Sequence, residues 1–238
     1  MNINIDDINI EYLNCGKGDP IVFLHGWGSN KEIFKTIINN LKDEFEIYSL
    51  DLPGFGNSSI GNHQKIDDYV NTLNIFMSTL QIKNPIIIAH SFGGRIAIKY
   101  AFKYQIKELI LIGVPGIRKI KFKNKIKILL YKFFKLFKIK LNTGSIDYIC
   151  SEEKKQKLLV NVVNEDLKKY LKMIESNTTL IWGNDDKEVN LKIAKKMNKL
   201  LSNSELFIID NGGHFPFIAR TSHFLITLKY VLYKVKYD

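Results

Sequence analysis

Six short apolar runs punctuate the chain: Ile21-Val22-Phe23-Leu24, Phe45–Leu50, Ile86-Ile87-Ile88-Ala89, Leu109-Ile110-Leu111-Ile112, Thr178–Trp182 and Glu205–Ile209. Several are unbroken rather than alternating, and an unbroken apolar strand needs cover on both faces. A parallel sheet between two helical layers supplies that cover. The segments between the runs carry helical spacing instead. Ile33, Phe34, Ile37, Ile38 and Leu41 share one face of Lys31–Leu41, and similar patterns fill Ile66–Leu80, Ile96–Phe102 and Leu191–Leu201. Such alternation predicts an α/β fold with a doubly wound, mostly parallel sheet. Residues 1–14 should add one or two strands, since Ile3, Ile5, Ile8, Ile10 and Tyr12 largely alternate with polar partners. Ser29 is the expected N-cap of the Lys31 helix, and a last helix should begin near Ser222. Residues 118–173 break the rhythm: they hold no strand-like run and read as two to four helices. The expected organisation is a core of residues 1–117 and 174–238 with a helical insertion at 118–173.

In doubly wound sheets, ligands gather beyond the carboxyl ends of the strands, and the chemically capable residues of this chain fall there. After Ile86–Ala89 comes His90-Ser91-Phe92-Gly93-Gly94, the layout of a nucleophile elbow, in which a sharp strand-to-helix turn lifts a serine hydroxyl clear of the sheet. A serine hydroxyl is a weak nucleophile near neutrality and needs a base, which in turn needs an acid to orient it. His214, in the loop Asn211-Gly212-Gly213-His214 after the last apolar run, is the best base among five histidines. His25 and His90 should settle into local hydrogen bonds, and His63 and His223 have no special claim. The acid should come from Gly183-Asn184-Asp185-Asp186, and the local pattern alone leaves Asp185 and Asp186 both open. The order serine, aspartate, histidine separates this chain from the two main serine-protease types. Backbone N–H groups of Phe92, next to the serine, and Trp27, in His25-Gly26-Trp27-Gly28, are the candidate oxyanion donors.

Together, His25-Gly26-Trp27-Gly28, the run Asp51-Leu52-Pro53-Gly54-Phe55-Gly56-Asn57-Ser58, the Ser91 elbow and Gly213-His214 resemble the motifs of the α/β-hydrolase superfamily. The likeness covers nearly the whole chain apart from the insertion. Gly183-x-x-Asp186-x-x-Val189 resembles the acid loop of that family and favours Asp186 over Asp185. The resemblance implies an α/β-hydrolase fold with an inserted helical cap and a triad of Ser91, Asp186 and His214. It also implies hydrolysis of a carboxylic ester or related acyl compound through an acyl-enzyme, with no metal or cofactor. Asp51 lies outside such a triad and is expected to tie its loop. Two positions depart from the pattern: Ala89 replaces the first glycine of the elbow, and Asn190 stands where proline often follows the valine.

The same motifs are similar to those of the pimeloyl-acyl-carrier-protein methyl ester esterases, which gives a narrower alternative. Carbon–carbon bond hydrolases of this fold share the triad but differ after the histidine, and haloalkane dehalogenases use an aspartate nucleophile. A small-molecule receptor that keeps the fold without catalysis is the competing class.

The net charge of +11 could signal a nucleic-acid partner, but its distribution argues otherwise. Ten Lys or Arg residues lie between Arg118 and Lys140, where no acidic residue occurs, and the remainder of the chain is almost neutral. In Ile126–Lys138 the side chains of Ile126, Leu129, Leu130, Phe133, Phe134, Leu136 and Phe137 span about 160° of a helical wheel, with Lys127, Lys132, Lys135 and Lys138 opposite. Such a face can lie over the core with its lysines in solvent, meet an anionic lipid surface, or dock an acidic carrier protein. The aromatics sit apart from the lysines, which argues against nucleic acid. Cys15 and Cys150 match no metal spacing, the first residues lack the pattern of a signal peptide, and no run is long enough to span a membrane. These features predict a cytoplasmic enzyme acting on a small acyl substrate.

Overall fold

The computed structural model describes residues 1–117, 155 and 157–237. Eight strands form one sheet: β1 (Asn2–Ile5), β2 (Ile8–Cys15), β3 (Asp19–Leu24), β4 (Phe45–Leu50), β5 (Ile86–His90), β6 (Glu108–Ile112), β7 (Thr178–Gly183) and β8 (Ser204–Ile209). Their spatial order is β1-β2-β4-β3-β5-β6-β7-β8. The β1–β2 and β2–β4 pairings are antiparallel, and every pairing from β4 through β8 is parallel.

The unbroken runs are explained by the two cores they serve. Successive side chains on a strand point to opposite faces. Ile87, Ala89, Leu109, Leu111, Leu180 and Trp182 join one core, while Ile86, Ile88, Ile110, Ile112 and Ile181 join the other. The helices between and after the strands include α1 (Lys35–Asn39), α2 (Ile66–Thr79), α3 (Phe92–Lys103), α4 (Lys168–Leu171), α5 (Leu191–Asn198), α6 (Pro216–Ala219) and α7 (Thr221–Tyr237). The buried faces of α2, α3 and α5 close the first core, and those of α1 and α7 close the second.

Two local expectations change. The helix expected from Lys31 opens as a 3₁₀ turn, Lys31–Phe34, and its cap is Asn30 rather than Ser29. The Asn30 side-chain oxygen accepts from Glu32 N–H at 3.0 Å, which a serine one residue earlier cannot do in that register. The last helix is preceded by the separate turn α6, which ends at Arg220.

Most of the predicted insertion, including Ile126–Lys138 and its lysines, lies outside the described residues. The part that returns to the core is held from α3. Arg95 is buried and donates to the carbonyls of Pro115, Val162 and Glu165, the last two at 2.6 Å. Burial lowers its pKa to about 10, which leaves the guanidinium charged near neutrality. It therefore meets the carbonyl end of the helical residues 157–164 with a positive charge, as the helix dipole favours. Lys99, one turn on, reaches Glu165 at 2.7 Å and Asp67 at 2.5 Å. Among the described residues no helix is long and apolar enough to cross a membrane.

Candidate active site

Ser91 links the end of β5 to the start of α3 with φ 48° and ψ −109°, a conformation that L-residues rarely hold. The glycines after it have a steric cause. A Cβ on Gly93 would stand 2.5 Å from the Leu24 carbonyl oxygen and 2.7 Å from that of His25, so the elbow helix lies directly on the end of β3. Gly93 N–H donates to His25 O at 3.1 Å and Gly94 N–H to Ser91 O at 3.1 Å. Among the described residues, Phe92 N–H has no backbone acceptor in this first turn, as expected for an amide at a helix start. Ala89 is fully buried and pairs with Leu24 and Leu111, so the larger residue at the elbow's first position is taken up within the sheet.

Asp186 and His214 meet across the ends of β7 and β8. His214 Nδ1–H donates to Asp186 Oδ2 at 2.8 Å, and Asp186 Oδ1 accepts from the N–H groups of Glu188 and Val189, each at 2.8 Å. This choice of tautomer leaves the His214 Nε2 lone pair free to accept a proton. Asp185 is exposed, and its Oδ1 accepts from Gly213 N–H at 2.8 Å, so it fixes the histidine loop from outside. The two loops pack so closely that a Cβ on Gly183 would stand 2.2 Å from the Gly213 carbonyl oxygen.

The other histidines divide differently from expectation. His25 does bond locally: its Nδ1–H donates to Gly26 O at 2.7 Å, and Leu52 N–H donates to its Nε2 at 3.0 Å. Burial lowers its pKa to about 4, so the ring is neutral. His90, expected to bond locally as well, instead reaches across the fold. Its Nε2–H donates to the carbonyl of His214 at 2.9 Å, and its ring lies 4.7 Å from those of His214 and Phe215. Burial, with the neighbouring His214 second, holds His90 well below the usual histidine range, so it serves as a neutral donor. The strand that carries Ser91 thus also anchors the backbone of His214. A histidine closing an apolar run was the available signal, but its partner lies 124 positions away.

Asp51 ties its loop as expected. It accepts from Lys31 N–H at 2.7 Å and Asn57 N–H at 2.9 Å, and pairs with Lys31 Nζ at 3.1 Å.

The Ser91 elbow and the Trp27 loop meet each other. A Cβ on Gly26 would stand 2.8 Å from His90 Nδ1 and 3.4 Å from Ser91 Cβ, which places the Trp27 loop against the elbow. The Trp27 ring packs edge-on against Phe92 and Phe55 with centroids at 5.2 and 4.9 Å. Among the described residues no hydrogen bond joins Ser91 to His214. The charged group nearest His214 Nε2 is instead Glu188, whose Oε2 lies 3.4 Å away. Sequence reasoning passed over Glu188, because the loop pattern fixes Gly183, Asp186 and Val189 and leaves that position unspecified. No group of three or more His, Cys, Asp or Glu among the described residues is arranged to hold a metal ion.

Sheet order, elbow, and the acid and histidine loops together define a class, and the chain belongs to the α/β hydrolase fold family, whose profile matches residues 19–121 and 117–221. Its relatives include the pimeloyl-[acyl-carrier protein] methyl ester esterase of Wigglesworthia glossinidia brevipalpis, 28% identical over 90% of this chain and 93% of that protein. The AB hydrolase superfamily protein YisY of Bacillus subtilis is 29% identical over 86% of this chain and 88% of its own length. Among solved structures, a bacterial membrane phospholipase A superposes with a TM-score of 0.84 at 22% identity, covering 100% of this chain and 86% of that one. At that identity the superposition speaks for the fold alone.

Proposed function

We propose that this protein is a serine hydrolase that cleaves a carboxylic ester through an acyl-enzyme on Ser91. The observation that carries the reading is the buried Asp186–His214 hydrogen bond at the carboxyl ends of β7 and β8, in a sheet whose β5 ends in a serine held at positive φ. In this reading Ser91 Oγ attacks the ester carbonyl carbon while His214 Nε2 takes the hydroxyl proton. Asp186 stabilises the imidazolium and keeps its Nδ1–H in place; the two N–H groups on its other oxygen prevent it from turning away. The N–H groups of Phe92 and Trp27 receive the oxyanion of the tetrahedral intermediate. His214 then returns the proton to the departing alkoxide, and the alcohol leaves. Water, deprotonated by the same nitrogen, attacks the acyl-enzyme and releases the carboxylate product with Ser91 restored. No step calls on a metal or cofactor.

Residues 118–173 are assigned to a cap over the serine, with its returning end anchored by Arg95 and Lys99, and acyl specificity is assigned there. The relatives named as pimeloyl-[acyl-carrier protein] methyl ester esterases support a narrower reading, in which the acyl group is delivered on an acidic carrier protein that the basic segment receives. An anionic lipid surface is the other partner that this basicity suits. A cytoplasmic location belongs to the same reading and is supported by the free thiol of Cys15.

Turnover of p-nitrophenyl esters of graded acyl length tests the proposal. The wild type should hydrolyse at least the short esters well above buffer, and Ser91→Ala should reduce kcat by at least about 10³-fold. Equal rates in the two proteins would refute it.

A further inference from the structure

Glu188 lies against the imidazole nitrogen of His214 that faces away from Asp186. Its Oε2 is 3.4 Å from His214 Nε2, the nitrogen that returns the proton to the leaving group in the reaction proposed above. A leaving-group oxygen within hydrogen-bond reach of that nitrogen, about 3 Å, brings the alcohol portion of the ester to within about 6 Å of the Glu188 carboxylate. The carboxylate is not buried out of reach, since its side chain is 37% exposed. Nor can it withdraw freely: Glu188 N–H is bound to Asp186 Oδ1 at 2.8 Å, so the bond that orients the acid also fixes the backbone of Glu188.

Among the described residues, no cation is paired with that carboxylate apart from the His214 ring. The Asp186 charge is taken up by His214 and two amides. Asp185 faces Gly213 N–H and adds a second negative charge to the loop. Lys187 is exposed, and no ion pair joins it to Glu188 among the described residues.

We propose that Glu188 is a specificity-determining residue that selects esters by the charge of their alcohol portion, accepting uncharged or cationic alcohols and rejecting anionic ones. The substrate class is therefore a neutral alkyl ester or an ester of an amino or ammonium alcohol, rather than one whose alcohol carries a phosphate or carboxylate. This rests on the esterase reading and deepens it. A unit charge on the alcohol, a few bonds beyond that oxygen, lies about 6–9 Å from the carboxylate, and an effective dielectric of about 20–40 makes the change in rate constant about tenfold.

The test uses three esters of one acyl group, propyl butyrate, butyrylcholine and O-butyryl glycolate, assayed by pH-stat with wild type, Glu188→Gln and Glu188→Lys. Wild type should favour the neutral and cationic esters over the glycolate. Glu188→Gln should raise the glycolate-to-propyl ratio of kcat/KM about tenfold. Glu188→Lys should raise it further and depress the choline ester, a reversal of sign that misfolding cannot produce. Both effects should shrink in 0.5 M salt, as screening requires. Ratios within twofold of wild type in both variants would overturn the proposal while leaving the esterase reading intact. Failure of wild type to cleave any of the three would instead overturn the esterase reading, and this proposal with it.

Discussion

Two carboxylates, each only 3% exposed, lie at opposite ends of neighbouring strands: Asp186 just beyond the carboxyl end of β7, and Glu108 at the first position of β6. Burial is the same; the supply of donors is not. Asp186 is met by three, from His214 and from two backbone amides of its own loop. Glu108 is met by one, the Thr179 hydroxyl at 2.9 Å. Its burial outweighs that bond and, with Glu205 adding to the effect, raises its pKa to about 7. A buried carboxylate stays charged where the chain arranges donors around it, and becomes a pH-dependent cost where it does not. Two of the donors at Asp186 are amides of its own turn, those of Glu188 and Val189, and turns of this kind occur where strands end. The carboxyl edge of the sheet is thereby suited to chemistry in a way that the opposite edge is not.

Removing the held charge should have the largest consequence. Asp186→Asn keeps the shape but loses the charge that stabilises the imidazolium, and kcat for an activated ester should fall by about 10³–10⁴-fold. Steady-state kinetics with a circular-dichroism check of folding would measure this, and a loss below tenfold would put the two carboxylates on an equal footing.

The second prediction concerns stability. The pKa of Glu108 is raised on folding, from 4.5 to about 7. Below about pH 4.5 both states are protonated and the residue costs nothing. As the pH rises through that value the unfolded chain ionises first, so stability falls until about pH 7 and then levels off. The shift corresponds to a loss of up to about 3 kcal/mol. Glu108→Gln should abolish that fall, giving equal stability near pH 4 and a more stable protein at pH 8, read by urea denaturation at both values. An unchanged pH profile would remove Glu108 from the comparison.

The smallest effect is expected next door to the largest. Asp185 differs from Asp186 by one position, yet it is exposed, and among the described residues its side chain bonds only to Gly213 N–H. Asp185→Asn should change kcat by no more than about threefold, since the amide oxygen can still accept that bond. A drop comparable to that of Asp186→Asn would reassign the acid.

The sheet and the candidate site were legible in the sequence, and Glu108 was not, for reasons that also mark where reading stops. The parallel sheet followed from runs such as Leu109–Ile112, whose members divide between two cores. Ser91, His214 and the Asp185–Asp186 pair stood out as candidates by strand ends and small residues, which depend on backbone geometry and so leave a local trace. The choice of Asp186 over Asp185 came from the resemblance of Gly183-x-x-Asp186-x-x-Val189 to the acid loop of the family, and the Val189 amide is one of the donors that hold the acid. What was hidden depends on side-chain direction over long separations. His90 holding the carbonyl of His214, Glu188 turning toward Nε2, and Arg95 reaching Val162 and Glu165 leave no periodicity behind. The Asn30 cap was missed by one residue because Ser29 and Asn30 are both good caps, and only the backbone decides between them.

The central claim is that Ser91 is a nucleophile activated by the Asp186–His214 pair, and covalent capture tests it most directly. The protein, its Ser91→Ala variant and its Asp186→Asn variant would each be incubated with a fluorophosphonate, and the adduct located by peptide mass mapping. The account predicts one adduct per wild-type chain, on the peptide carrying Ser91, none in Ser91→Ala and much slower formation in Asp186→Asn. A wild-type chain that remains unmodified, or an adduct that persists in Ser91→Ala, would contradict it.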